Sequence, residues 1–119
     1  MELELVGQNN SLVRVISDEC VITDGQSVLD LIATVRYETH CDRLILDKAS
    51  ITEEFFRLAT GVAGEVLQKC VNYHVKMAIV GDFSKYTSKP LRDFIYESNK
   101  GKDFFFVGTL DEAIEKLGR

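Results

Sequence analysis

Two hydrophobic periods follow one another along the chain. Apolar and charged side chains alternate over residues 2–5, and Val13 and Val15 flank Arg14. A period of two is typical of strands. Residues 7–10 read Gly-Gln-Asn-Asn, which is a turn-forming cluster. The beginning of the chain therefore predicts an antiparallel hairpin.

Beyond the hairpin, apolar positions recur every three or four residues in segments that are separated by short apolar runs. The segments predict helices and the runs predict strands. The predicted strands cover residues 43–46, 75–80 and 104–107, and the predicted helices begin at the caps Asp24, Ser50, Ser88 and Thr109. Strict alternation predicts right-handed crossovers and parallel strands. The expected fold is α/β, a single domain over residues 1–119 with a mixed sheet of about five strands.

Two segments of this pattern need comment. Residues 75–80 are apolar except for Lys76, so we expect an interior strand with helices on both faces. Ser50 and Glu53 fit a capping box at the start of a long helix that Gly61 and Gly64 interrupt. Each glycine weakens a helix by about 0.5–1 kcal/mol. Either two helices meet near Thr60, or one helix packs unusually close to the sheet.

Composition and net charge exclude some classes of function. The net charge of −5 argues against nucleic-acid and anionic-membrane binding, which need a basic surface. No apolar stretch approaches the roughly 20 residues of a membrane helix, and the first residues lack a signal-peptide pattern, so we expect a cytoplasmic protein. Cys20, Cys41 and Cys70 are expected to be reduced and mostly buried. We expect no metal or cofactor, and we assign the aromatic side chains mainly to the core.

The first candidate site is the loop that follows the interior strand. Ligands of open α/β sheets gather beyond the carboxyl ends of the parallel strands. The next helix offers free amides there, and two lysines add positive charge, so the loop can hold a phosphate or carboxylate. The predicted binding residues are Gly81, Ser84, Lys85, Thr87, Ser88 and Lys89. A solvated loop with an ordinary helix cap is the alternative, and no phosphate-loop motif is present.

Two further candidates lie near that loop. Asp47 ends the neighbouring strand, and with Asp82 it can supply an acid and a base or hold a metal. Thr60 precedes Gly61 at a helix start and is a candidate for phosphorylation. Loop solvation is the alternative for the two carboxylates, and tight packing is the alternative for the threonine.

Several segments together resemble a known bacterial family. They cover residues 31–38, 51–56, 60–65, 80–88, 97–101 and 111–114. The chain resembles domain-of-unknown-function family 4180 over nearly its whole length, and this resemblance implies no activity. More distantly, the order of elements is similar to the STAS fold of SpoIIAA-like regulators. In those proteins a phosphorylatable serine follows an acidic residue, and Thr60-Gly61, preceded here by Leu58-Ala59, is the nearest match.

The expected function is a non-catalytic, STAS-like binding or regulatory domain, either a monomer or a homodimer. Its partner would be another protein or a small anionic or apolar ligand. The alternative is a small enzyme or ligand carrier that uses residues 81–89 to bind an anion. An enzyme site predicts a concave pocket with converging polar groups and a perturbed pKa. A binding module predicts a flat or apolar patch, and a carrier needs a cavity under the glycine-bearing helix.

Overall fold

The predicted strands form one five-stranded sheet in the computed structural model, which describes residues 1–118. The strands are β1 (Glu2–Val6), β2 (Leu12–Ile16), β3 (Arg43–Asp47), β4 (Lys76–Val80) and β5 (Phe104–Val107). They lie side by side in chain order. The β1–β2 hairpin is antiparallel and the remaining pairs are parallel, so the mixed α/β sheet is confirmed.

Four α-helices connect or follow the strands, in the predicted order. They are α1 (Gly25–Thr39), α2 (Val62–Asn72), α3 (Lys89–Lys100) and α4 (Leu110–Leu117). Asp24, Ser88 and Thr109 cap α1, α3 and α4 as expected, each accepting a backbone amide of the first turn. Among residues 1–118, no helix combines the length and apolarity needed to cross a membrane.

The alternating side chains of the sheet divide the core into two layers. One layer holds Val13, Val15, Leu44, Leu46, Met77, Ile79, Phe104 and Phe106, packed against α1, α2 and α3. The other holds Leu12, Ile45, Ala78, Phe105 and Val107, packed against α4. Strand β4 lies between β3 and β5, and its three central residues are fully buried. The prediction of an interior strand covered on both faces is therefore confirmed.

The long helix predicted from Ser50 is wrong. Three short 3₁₀ turns occupy most of residues 48–60, and α2 begins only after Gly61, whose φ of +81° breaks the helical path. Ser50 is buried in the first turn, and Ile51 instead forms a parallel bridge with Ile22, which holds the backbone extended. Tertiary pairing at this point overrides the local capping signal. A break in the helical path near Thr60 corresponds to the first of the two alternatives, in which two helices meet there, although the segment before the break consists of 3₁₀ turns.

The glycine of α2 has no close neighbour. A Cβ built at Gly64 would meet no atom within 4 Å, so the alternative of unusually close packing is wrong at this position. Gly25 is different, because a Cβ there would lie 2.0 Å from Oε1 of Glu65. The Gly25 amide donates to that oxygen at 2.9 Å. A carboxylate of α2 thus helps to cap the start of α1.

The three thiols differ in exposure. Cys70 is fully buried, Cys41 is half-buried and Cys20 is exposed, and all three are free. The expectation of mostly buried thiols is therefore wrong for Cys20. Burial, aided by the negative charge of Asp103, raises the pKa of Cys70 to about 12, so this thiol stays protonated at neutral pH.

Candidate functional site

The loops after β3 and β4 start side by side at the carboxyl end of the sheet. Asp47 lies opposite Val80 in the parallel register, and the amide of Gly81 donates to Val107 of β5 at 3.0 Å. A Cβ at Gly81 would lie 2.7 Å from Cβ of Lys48. Glycine therefore allows the two loops to approach, and Asp47 and Gly81 share the rim that the sequence predicted.

A cluster of charged and aromatic side chains joins the two loops. We call Lys48, Glu53, Phe56, Lys85 and Tyr86 the rim cluster. The Tyr86 hydroxyl lies 3.0 and 3.1 Å from the two carboxylate oxygens of Glu53, whose Oε1 also lies 3.4 Å from Nζ of Lys48 and 3.5 Å from Nζ of Lys85. The Phe56 and Tyr86 rings stack with centroids 4.8 Å apart. The positively charged side chains of the rim cluster therefore pair with its one carboxylate.

The electrostatics of the rim cluster fix the protonation of its two central groups. Desolvation opposes the ionised form of Glu53, yet the Tyr86 hydroxyl and the two ammonium groups together hold its pKa below the usual value. Desolvation, together with the nearby Glu53 carboxylate, raises the pKa of Tyr86. At neutral pH Glu53 is therefore an ionised acceptor and Tyr86 a neutral donor. Neither shift favours a general acid at Glu53 or a general base at Tyr86.

The two candidate catalytic carboxylates make separate contacts. Asp47 projects from the α4 face of the sheet, where an oxygen lies 3.9 Å from the guanidinium of Arg14. Asp82 accepts the amide of Ser84 at 2.9 Å, and hydrogen bonds from Ser84 hold the pKa of Asp82 below its usual range. No contact within residues 1–118 joins Asp47 to Asp82. The same residues contain no group of three or more His, Cys, Asp or Glu side chains that could hold a metal ion.

The two lysines predicted to hold an anion each have a carboxylate partner already. Lys85 lies beside Glu53, and Nζ of Lys89 lies 2.6 Å from Asp93 one turn further along α3. Lys89 is also largely exposed, at 85% of its side-chain surface. An incoming anion would have to compete with both carboxylates, so these contacts do not favour the predicted anion site.

The hydroxyls of the same loop are exposed, and one of them is engaged in folding. Ser88 accepts the amide of Leu91 at 3.3 Å and caps α3. The backbone of Ser84 donates to Asp82, while Thr87 is exposed. The loop therefore presents its polar groups to solvent and to its own turn.

Thr60 closes the turn before α2. Its hydroxyl oxygen lies 2.7 Å from the carbonyl of Glu54 and 2.8 Å from that of Arg57, and it accepts the amide of Val62 at 3.3 Å. The side chain is nevertheless exposed. Phosphorylation at Thr60 would replace these contacts, and it stays a prediction.

A groove lies between the loop after β4 and α3, and Ser84 lines it, one of the predicted binding residues. Its volume is about 470 Å³. It is lined by Phe83, Ser84, Tyr86, Arg92, Ile95, Tyr96 and Asn99. Tyr96 is 63% exposed, and Tyr37 and Tyr73 are exposed too, so the expectation that aromatic side chains lie mainly in the core fails for these three tyrosines. Tyr96 directly follows Phe94 and Ile95 of the core stripe, and this position off the stripe was the available signal.

Comparisons with known proteins identify a family but no activity. No curated protein and no solved structure significantly matches this chain. One family model matches residues 7–117, and its description is "Domain of unknown function (DUF4180)". Because the match covers nearly the whole chain, this protein belongs to the DUF4180 family.

Proposed function

We propose that this chain is a non-catalytic, STAS-like binding or regulatory domain of the bacterial cytoplasm. We further propose that it binds a partner protein through the groove between residues 81–88 and α3. The family description names no activity, so the argument rests on this chain's own side chains. One observation carries it: the charged groups of the rim are paired with each other, while the adjoining groove leaves an aromatic side chain exposed.

The pairing argues against the enzyme alternative. A catalytic site needs polar groups that converge on a cavity and whose pKa values suit proton transfer near neutral pH. Glu53 and Asp82 both have a lowered pKa and remain ionised. Asp47 lies beside Arg14 on the other face of the sheet from the rim aromatics. These carboxylates support structure and not a shared reaction centre.

The groove has the composition of a protein-binding surface. Tyrosine and arginine are enriched at the centres of such interfaces, because each combines a large contact area with hydrogen-bonding groups. Tyr96 and Arg92 are exposed on α3, and Phe83 and Ile95 supply apolar walls. A tyrosine also loses little conformational entropy on binding, since it has only two side-chain torsions. A peptide segment of a partner protein fits this open groove.

Site-specific photo-crosslinking in the native bacterium tests the proposal. A photoreactive phenylalanine analogue replaces Tyr96 in one version of the protein and Tyr37 of α1 in the control, since Tyr37 is 86% exposed but lies outside the groove. We expect one discrete protein adduct from position 96 and none of that mass from position 37. No adduct at position 96, or the same adduct at both positions, would overturn the proposal.

Affinity for the partner identified in that way provides the quantitative test. We expect Tyr96→Ala to weaken binding about tenfold or more, because truncation of a central interface tyrosine typically costs more than 1 kcal/mol. Tyr37→Ala should bind as the unmodified protein does. Circular dichroism and the melting temperature report whether both variants fold. Equal affinities of the two folded variants would contradict the groove as the binding surface.

A further inference from the structure

A second cleft lies at the opposite end of the sheet, where β4 and β5 begin. Its volume is about 530 Å³, and it is bounded by the end of α3, the outer edge of β5 and α4. Four lysines line it: Lys76, Lys100, Lys102 and Lys116. We call this the lysine cleft. It shares Asn99 with the groove of the proposed function, but the inference drawn from it does not depend on that function.

The fold gathers these lysines from four different segments. Lys76 is the first residue of β4, on the same face as Ala78 and therefore toward α4. Lys116 lies in the last turn of α4 and Lys100 ends α3. Lys102 belongs to the short connection between α3 and β5. Nothing in the local sequence around any one of them indicates that the four meet.

The positive charge of the lysine cleft is largely uncompensated. Lys100 has one carboxylate partner, Glu97, at 3.8 Å, and its ammonium also lies 4.8 Å from the centroid of the Tyr96 ring. Within residues 1–118, Lys76, Lys102 and Lys116 form no ion pair or hydrogen bond through their ammonium groups. Lys76 and Lys116 are moreover half-buried. Like charges held together in this way repel one another.

Helix dipoles account for only part of this arrangement. Lysines are favoured in the last turn of a helix, where the carbonyl groups carry partial negative charge. This effect explains Lys100 and Lys116 at the ends of α3 and α4. It does not explain Lys76, which belongs to a strand, or Lys102, which lies beyond the helix. In a chain with a net charge of −5, their convergence on one cleft requires another explanation.

We propose that the lysine cleft binds a small molecule that carries at least two phosphate groups. Lysines bind phosphate as point charges, and four of them converging on one cleft can match several negative charges at once. The volume is that of an ordinary small-ligand site. Phe105, 5% exposed, adds an apolar surface against which an organic part of the ligand can lie.

Titration calorimetry of the purified full chain with pyrophosphate tests this proposal in a low-salt buffer without phosphate. The test variant is Lys76→Gln/Lys116→Gln. The matched control is Lys85→Gln/Lys89→Gln, which removes the same charge at the other end of the sheet. We expect binding by the unmodified chain, a dissociation constant about tenfold or more weaker for the test variant, and no such change for the control. Melting temperatures confirm that both variants fold.

Four outcomes would overturn the proposal. They are the absence of pyrophosphate binding to the unmodified chain, equal losses in both variants, no loss in either, and a loss in the control alone. Equal losses would indicate a general charge effect, and a loss in the control alone would place the anion at residues 81–89. Citrate, a polycarboxylate, is the specificity arm. Pyrophosphate should bind at least about tenfold more tightly than citrate, and equal affinity would refute the phosphate preference.

Discussion

Charged side chains have different surroundings at the two ends of the sheet. In the rim cluster, the ammonium groups of Lys48 and Lys85 share the carboxylate of Glu53, and stacked aromatic rings lie beside them. Lys76 and Lys116 both line the lysine cleft, and neither has a carboxylate partner among residues 1–118. Paired charges stabilise a fold, whereas gathered like charges oppose it unless something binds.

The contrast indicates where a ligand would bind in this chain. The carboxyl end of the sheet is the usual place for a ligand in open α/β folds, and the sequence pointed there. In this chain the two lysines of the loop after β4 are already paired with carboxylates. The aromatic groove beside it and the lysine cleft at the amino end offer accessible surfaces instead. Three pairs of substitutions, each a variant with its control, test this comparison.

Phe56→Ala should produce the largest effect. The ring is 4% exposed and contacts the rings of Phe55, Phe83 and Tyr86, so it joins the rim cluster to the core. Truncation of a buried phenylalanine typically costs about 3–5 kcal/mol in the free energy of unfolding. Urea denaturation should show that loss.

Tyr96→Ala is the matched control, because this ring is mostly exposed. It should change the free energy of unfolding by no more than about 0.5 kcal/mol. If Phe56→Ala were equally harmless, the rim cluster would not be part of the folded core, and the contrast between the two ends would fail.

Gly61→Ala should lower the free energy of unfolding by an intermediate amount, because Gly61 forms the turn that precedes α2. The φ of +81° lies in the left-handed region, where alanine is disfavoured by about 1–2 kcal/mol. Gly64→Ala should instead raise the free energy of unfolding by about 0.5–1 kcal/mol, since it lies in a helix with open space around it. Thermal melts of the two variants should shift in opposite directions. Shifts of the same sign would contradict the assigned turn.

Glu53→Gln should have the smallest effect, and that effect should depend on pH. The pKa of Glu53 is lower in the folded protein than its usual value of 4.5, so the ionised form favours folding. This stabilisation is present above the unfolded-state pKa and is lost as the pH falls through the folded-state pKa. At neutral pH the substitution should cost less than about 1 kcal/mol, because the pair is exposed. Urea denaturation at neutral pH would measure the cost in the free energy of unfolding. The same measurement at acidic pH would show whether that cost disappears as Glu53 is protonated.

Lys76→Gln is the control for Glu53→Gln at the other end of the sheet. It also removes one charge, but from a group of like charges. In a phosphate-free buffer it should leave the free energy of unfolding unchanged or slightly higher. A loss of stability as large as that of Glu53→Gln would show that Lys76 is paired within the fold, and the comparison would not hold.

Much of the fold could be predicted from local pattern. The alternation of hydrophobic periods gave the order of elements, and Asp24, Ser88 and Thr109 were correctly placed as helix caps. The failure at Ser50 has a tertiary cause. Ile51 forms a bridge with Ile22, which lies almost 30 residues earlier in the chain, and no local signal reports that contact.

The candidate site was predicted less well than the fold. The shared rim of Asp47 and Gly81 followed from the parallel strands and was confirmed. The spacing of Lys89 and Asp93, four residues apart in a predicted helix, was a local signal for their pairing. Glu53 lies 32 residues from Lys85, and only the tertiary fold brings the two together. An anion at residues 81–89 would therefore compete with two carboxylates, and the anion site stays a prediction.

The fold class of this protein follows from local patterns in its amino-acid sequence. The two hydrophobic periods specify which segments become strands and helices, because each period buries one face of its element. The place where a ligand can bind depends instead on how distant segments pack. Lys76, Lys102 and Lys116 are separated along the chain, and their convergence depends on strand order, on the face that each strand presents and on the path of α4. Such long-range geometry leaves no trace in a local pattern.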